Sequence, residues 1–409
     1  MTDNPLPNLM QLTPLNPAFR EDPHALLSDL RARCPVHHDT TTGSFVVSRF
    51  ADVRSNLSDR TLWRDPLNAE EGALLSRQLA AGYDPSLPRS RQTSILLLDD
   101  PDHARVRNPL AQALYARVAK FKPQVEAIIE GALDRIAKLG AFDLISEYAI
   151  PIPIEVIAAI LGVDRTRLDD FRDWSEGVIL SLNPFRSPEQ TAHMERASES
   201  LRAYFIELLN ARRASPQDDL VSDMAKLQEG ANLADEELLI NLSALLVAGN
   251  LTTSDLIGNA VRQFLLNPDQ LAKLRADPSL INAAVEEALR FEPPVDITGR
   301  VASRDMEVNG VALKQSQAMV FMLRGANRDP EVFERPDEFD ITRKPGPHMA
   351  FGGGAHICIG APLARLEAQV ALLKLFQRFP NLRFANPDEP AHWRMLPFFR
   401  GLEKLELSV

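Results

Sequence analysis

Apolar residues recur at helical spacing over most of the chain and alternate only in short stretches. Val125, Ile128, Ile129, Leu133 and Ile136 repeat at intervals of three and four, which predicts a helix closed by Gly140. Upstream, Asp100 as a cap and Pro101 at the first helical position predict a helix running to about Ala116. Two more helical stretches cover residues 165–182 and 188–213, separated by Asn183-Pro184. The longest pattern runs from a cap at Asp235 to a stop at Asn267-Pro268. Its roughly 31 residues make a rod of about 46 Å. It is apolar on most faces around Leu242 to Ala248, so its centre is expected to be buried. A shorter helix from Ile281 to Phe291 stops before Pro293-Pro294, and Ala361 to Arg378 forms another.

Strands are few. Ser44 to Phe50 alternates and is expected to pair with Pro35–His38 across the Thr40–Gly43 turn. Met306–Val308 and Val311–Leu313 flank Asn309-Gly310, a strong hairpin signal. Ala318–Leu323 and the alternation Leu405, Leu407, Val409 complete the set. Residues 60–98 have no period and are broken by Gly82, Pro85 and Pro88, as in a lid or substrate wall. No repeat and no Gly/Ser or charged linker divides the chain. The expectation is therefore one unit, residues 1–409, predominantly α with small peripheral β-sheets and a long central helix.

Composition narrows the function classes. With 45 Lys and Arg against 56 Asp and Glu, the net charge is −11, a poor basis for binding phosphate backbones, so no nucleic acid partner is expected. Two cysteines, Cys34 and Cys358, exclude a disulfide scaffold and a four-cysteine zinc module. The N-terminus carries no signal-peptide pattern. The longest uninterrupted apolar run, Val156–Val163, is far short of the roughly 18–20 residues that span a bilayer, so no membrane is expected and the location is cytoplasmic.

Chemistry concentrates in four segments. In Phe351-Gly352-Gly353-Gly354-Ala355-His356-Ile357-Cys358-Ile359-Gly360, three glycines demand a sharp turn or a close approach. A phosphate loop is one reading, but the Gly-Lys-Ser/Thr ending is missing. A buried structural cysteine is the second. A thiolate ligand is the third, favoured by the helix that follows and suited to haem iron, which needs one strong proximal bond. Glu287 and Arg290 are three apart on a helix, ordinarily a solvated pair. His103 and Arg107, four apart, share a helical face. Ala248-Gly249-Asn250-Leu251-Thr252-Thr253 places small residues before hydroxyls, and threonine can bond a carbonyl one turn back and loosen the helix.

Together and in this order, these segments resemble the cytochrome P-450 superfamily across essentially the whole chain. The glycine loop matches Phe-x-x-Gly-x-His/Arg-x-Cys-x-Gly at every defined position. The resemblance implies a haem-thiolate fold with haem b (iron protoporphyrin IX), held by Cys358 as the sole protein ligand to the metal within a loop framed by Phe351 and Gly360. It assigns His103, Arg107, Arg300 and His356 to the haem propionates, and Glu287, Arg290 and Arg343 to a structural ion-pair lock. It places Thr252 as the distal hydroxyl beside dioxygen. The acid the family carries before that threonine is Leu251 here, so protons are expected to arrive by a water chain anchored by Asn250 or Asp255.

The implied activity is insertion of one oxygen atom of dioxygen into a C–H bond, by a cytochrome P-450 monooxygenase. No flavin or nicotinamide fingerprint accompanies the loop, so electrons are expected from a separate ferredoxin with its reductase. Leu245, Ala248, Val295 and Ile297 are expected to line the site of a medium-sized, mostly hydrophobic substrate. Asp296 either adds a polar contact there or faces solvent. Two rival readings follow from Leu251 and from the cofactor alone: a peroxide-using or oxygen-independent haem-thiolate enzyme, and a haem sensor without catalysis.

Overall fold

The computed structural model describes residues 5–74, 83–344 and 346–409. Its organising element is the long helix, Asp235–Leu266. Three acidic residues in its first turn complement the positive helix end, and the Glu237 carboxylate reaches back to the Ala234 N–H (2.8 Å). The cap is thus Ala234, and Asp235 lies inside the helix. Pro268, expected only as a stop, opens the next helix, Pro268–Ala276, because the first helical turn needs no proline N–H. By length and composition the long helix is apolar enough to cross a membrane, but 61% of its most apolar window is buried inside the protein. Such burial is what a core helix shows.

Against it pack the helices Pro151–Leu161, Leu168–Ile179, Pro188–Ala214 and Ala361–Arg378. The apolar run Val156–Val163 starts in the first of these and runs on past its Gly162 cap, and this helix is buried on almost every face. It therefore showed no helical period. The helix carrying His103 and Arg107 spans Asp102–Val118, and the next spans Lys122–Ile136. Asp100 does accept a bond from this helix, from the Ala104 N–H (3.1 Å), while the Asp100–Pro101 peptide is cis and helical residues begin one later than expected.

One mixed sheet lies to the side of the helices. Its order is Val36–Asp39, Ser44–Val47, Ala318–Met322, Ile297–Val301. The second and third strands are parallel and the outer pairs antiparallel, with Arg300 opposite Met319. The strand expected to reach Phe50 ends at Val47. Phe50 opens a helix to Ser58, its N–H bonded to the Asp329 carboxylate (2.8 Å). The hairpin at Asn309-Gly310 forms with both turn residues at positive φ. The last strand, Glu406–Ser408, lies between Ala141–Asp143 and Arg383–Phe384. Most of the apolar core surrounds the long helix, and two smaller clusters sit against the mixed sheet.

The irregular stretch from residue 60 onward contains short 3-10 turns at Pro66–Asn68 and Arg89–Arg91, and its residues 75–82 lie outside the described residues. It is tied to the long helix where the Ile95 N–H donates to Asn241 (2.9 Å).

Candidate active site

The cysteine loop is shaped by backbone that only glycine adopts easily. Gly352 and Gly354 have φ near +69° and +66°, and a Cβ on Gly354 would lie 2.0 Å from the Leu57 carbonyl oxygen. The turn brings the Cys358 N–H to the Phe351 carbonyl (3.0 Å) and delivers the chain to the helix Ala361–Arg378, with Pro362 in its first turn. Cys358 is exposed as a residue, yet its thiol lies in a desolvating surround that pushes its pKa up. Backbone N–H groups of Gly360 and Ala361 and the charges of Arg107 and Arg365 oppose that rise. Both observations fit a sulfur on the wall of an internal recess.

The loop is also held from outside. Arg107 donates to the Ile357 carbonyl (2.6 Å), the residue before the cysteine. The Arg365 guanidinium lies 4.5 Å from the Phe351 ring centroid and donates twice to Glu286 (2.6 and 2.9 Å), which also meets His348 (3.1 Å). Burial opposes ionisation of Glu286, but His348 and Arg365 hold its pKa at about 2. None of Glu286, His348 and Arg365 was singled out in the sequence. The available signal was the acid adjacent to Glu287.

Beside the loop lies a concentration of positive charge. The rings of His103 and His356 sit 4.0 Å apart, and with Arg300, Asp99 and Asp100 they line a small polar cavity. Arg300 is buried and donates to the Gly299 carbonyl (2.8 Å). Desolvation and the nearby charge of Arg64 lower its pKa to about 9. Desolvation, then Arg300, His103, Arg64 and Arg107, push His356 down to about 2. His103 is buried, and its Nε2 has no hydrogen-bond partner among the described residues. Buried cations short of anions, beside an orphaned imidazole nitrogen, fit a ligand bearing carboxylates. Arg64 was not anticipated.

On the long helix, the Thr252 hydroxyl donates to the Ala248 carbonyl (2.9 Å) and Ser254 to that of Asn250 (2.9 Å). Ala248 is exposed at the largely buried centre of the helix, and Gly249 and Thr252 are partly so. This local accessibility marks the wall of a recess. Asn250 is buried, and Leu251 packs on the helical core. Asp255 departs from its expected setting. Its carboxylate is bonded to Arg394 (2.5 Å to each oxygen) under Gly401, in the C-terminal segment, and not to Thr252. Desolvation raises its pKa against the pull of Arg394.

Leu245 is buried, while Val295 and Ile297 are half-buried, Val295 pairing with Phe399 in an isolated bridge. Asp296 neither reaches a polar contact in this wall nor faces solvent. It is fully buried and bonded to Arg324, which also holds Glu292. The side chain turns to the buried Arg324 guanidinium, since a lone buried carboxylate is costly.

Glu287 and Arg290 are buried and bidentate (2.7 and 2.8 Å). Arg290 further donates to the carbonyls of Asn327, Pro336 and Glu338, and Arg343 comes within 3.3 Å of Glu287. The three lock residues thus meet, fastening the helix Ile281–Phe291 to the segment after Asn327.

Comparison with known proteins agrees with this architecture. The family model for cytochrome P450 matches residues 67–390. The chain is 38% identical to cytochrome P450 107B1 of Saccharopolyspora erythraea over 99% of its length and 98% of the relative's. It is 33% identical to 6-deoxyerythronolide B hydroxylase of the same organism, covering 96% of this chain and 97% of that one. A solved structure of P450BioI with hexadec-9Z-enoic acid ligated acyl carrier protein superposes with a TM-score of 0.86 at 33% identity, over 96% of this chain and 100% of that one. The chain belongs to the cytochrome P450 family. It is a cytochrome P450 monooxygenase, an oxidoreductase whose family implies a haem iron cofactor.

Proposed function

We propose that this monooxygenase hydroxylates a medium-sized, mostly hydrophobic molecule at a C–H bond, working in the cytoplasm on haem b with electrons from a separate ferredoxin and its reductase. The whole chain acts as one unit in this reading. The observation that carries it is the pairing of a recess wall on the long helix at Ala248 and Thr252 with a cysteine loop flanked by unneutralised cations. Haem, when bound, supplies the activation of dioxygen.

The residues around it do the rest. Cys358 offers the thiolate. His103, Arg107, Arg300 and His356 face the propionates, and Phe351 and Gly360 shape the loop around the sulfur. Thr252 places a hydroxyl that orders water for proton delivery. Asn250 anchors that water, and any part played by Asp255 runs through Arg394, its bonded partner. Leu245, Ala248, Val295 and Ile297 present apolar surface to the substrate. Hydroxylation of a hydrophobic substrate is supported by the names of the relatives, one a 6-deoxyerythronolide B hydroxylase and one seen with an acyl carrier protein ligated to hexadec-9Z-enoic acid.

The test is a ligand screen that follows the haem spin state, then turnover of each hit with ferredoxin, reductase and nicotinamide under labelled dioxygen. One labelled oxygen per product is expected. Product without label, or formed equally well without the electron donors, overturns the reading. In Thr252→Ala, binding should persist while product formed per nicotinamide consumed falls severalfold and hydrogen peroxide rises. Unchanged coupling removes Thr252 from proton delivery.

A further inference from the structure

We infer that Arg64 is a further positioning residue for the cofactor, a third guanidinium presented to the haem carboxylates together with Arg300 and Arg107. The inference rests on the haem reading above. Arg64 and Arg300 come from distant parts of the chain, yet both donate through Nη1 to the same oxygen, the Gly299 carbonyl, at 3.0 and 2.8 Å. Two guanidinium groups converging on one carbonyl repel each other, and in a desolvated setting that repulsion is strong. A neighbouring carboxylate would relieve it. Among the described residues only Asp99 acts electrostatically against either charge. Asp99, however, accepts from the backbone N–H groups of Arg64 (2.5 Å) and Asp65 (3.2 Å) and from the Asn68 amide (3.1 Å), so its oxygens are engaged away from the guanidinium groups.

The side-chain bonds of Arg64 go to backbone carbonyls alone, those of Leu96 and Gly299. Desolvation lowers its pKa to about 10, and its charge in turn depresses Arg300. A purely structural staple between Leu96 and Gly299 would not require a second full charge beside Arg300. An anion held against the Arg300 and His356 pair accounts for both.

The experiment separates charge from hydrogen bonding in the haem-loaded protein. Arg64→Gln keeps amide donors and removes the charge, whereas Arg64→Lys keeps the charge and gives up the fork that reaches two carbonyls. Two quantities are read: the rate of haem transfer to an excess of apomyoglobin, and the haem reduction potential. Arg64→Gln is expected to speed haem transfer about tenfold. It should also lower the reduced fraction at fixed potential by about threefold to tenfold, or about 30–59 mV at 59 mV per decade. The potential falls because a removed cation no longer favours the added electron. Arg64→Lys should stay within about twofold of the parent in both. If Arg64→Gln stays within twofold in either quantity, or if both variants are impaired alike, Arg64 is a loop staple and the inference fails. Arg300→Gln is measured in parallel. If Arg300→Gln also leaves transfer unchanged, the carboxylate reading of the whole cluster fails, and not the role of Arg64 alone.

Discussion

Two buried clusters of charge, around Arg290 and around Arg300, are built on opposite principles. Around Glu287 and Arg290, charges and partners balance: a bidentate ion pair, three backbone carbonyls on the arginine, and the Asp340 N–H (3.0 Å) and Arg343 on the acid. Around Arg300 and His356, cations outnumber anions, Arg300 has a carbonyl for its partner, and His103 has an orphaned nitrogen. The first arrangement is complete and serves the fold. The second leaves cations short of anions and an imidazole nitrogen unpaired, which on the reading proposed above is a site for an anionic ligand. Burying a charge is costly in both, so the number of satisfied partners, more than burial itself, tells structural charges from functional ones.

The largest expected effect comes from breaking the balanced cluster. Arg290→Met leaves Glu287 buried with only Arg343 and the Asp340 N–H as partners and strands three carbonyls, at a cost of about 3–5 kcal/mol. Urea unfolding of the haem-loaded variant should show a large fall in midpoint with unchanged slope, or little folded protein at all. A loss under about 1 kcal/mol would show that the cluster is dispensable to the fold and that balanced partners do not mark a structural role. Next in size is Arg300→Gln, which on the proposed reading removes a charged donor from a haem carboxylate and should weaken haem binding by about 1.5–3 kcal/mol. Its effect on stability should be modest by comparison. If Arg300→Gln destabilised the fold as much as Arg290→Met while retaining haem, the two clusters would be of one kind.

The balanced cluster was legible from spacing only through its resemblance to a family pattern, because an i,i+3 acid–base pair by itself is ordinarily a surface feature. The helices carrying the site were legible for a different reason. Their apolar positions recur at helical spacing over long runs, and the Asn-Gly hairpin and the Ile281–Phe291 helix fall where the pattern puts them. What stayed hidden was apolar on every side or depended on distant chain. Pro151–Leu161 lacks a polar face, so it has no period to detect. Arg64 reaches Gly299 from 235 positions away, and nothing local distinguishes it from a surface arginine. Asp255 sits one helical turn from Thr252, yet tertiary structure gives its carboxylate to Arg394. Spacing fixes which residues share a face and leaves open what that face meets.

A third cluster sharpens the comparison with the smallest effect. Glu292, Arg324 and Arg400 are buried together and bonded, and His24 lies against them with both ring nitrogens unpartnered among the described residues. Desolvation first, then the charges of Arg328, Arg324 and Arg400, hold the His24 pKa well below 6.5, against the opposing pull of Glu292. The unfolded chain therefore takes up a proton near pH 6.5 that the folded protein refuses. The stability associated with neutral His24 is fully present above pH 6.5 and is lost as pH falls below it, by at most about 1.4 kcal/mol per pH unit from this one group. His24→Leu cannot take up that proton, so its stability should decline less steeply between pH 6.5 and 5. Urea midpoints of both proteins at pH 7, 6 and 5 measure the difference. Because this cluster has its own anions, haem transfer at pH 7 should be the same in His24→Leu and the parent. Parallel stability profiles would remove His24 from the acid response. Faster haem loss in His24→Leu would show that an internally neutralised cluster can still support the cofactor, and the rule separating the two kinds of cluster would fail.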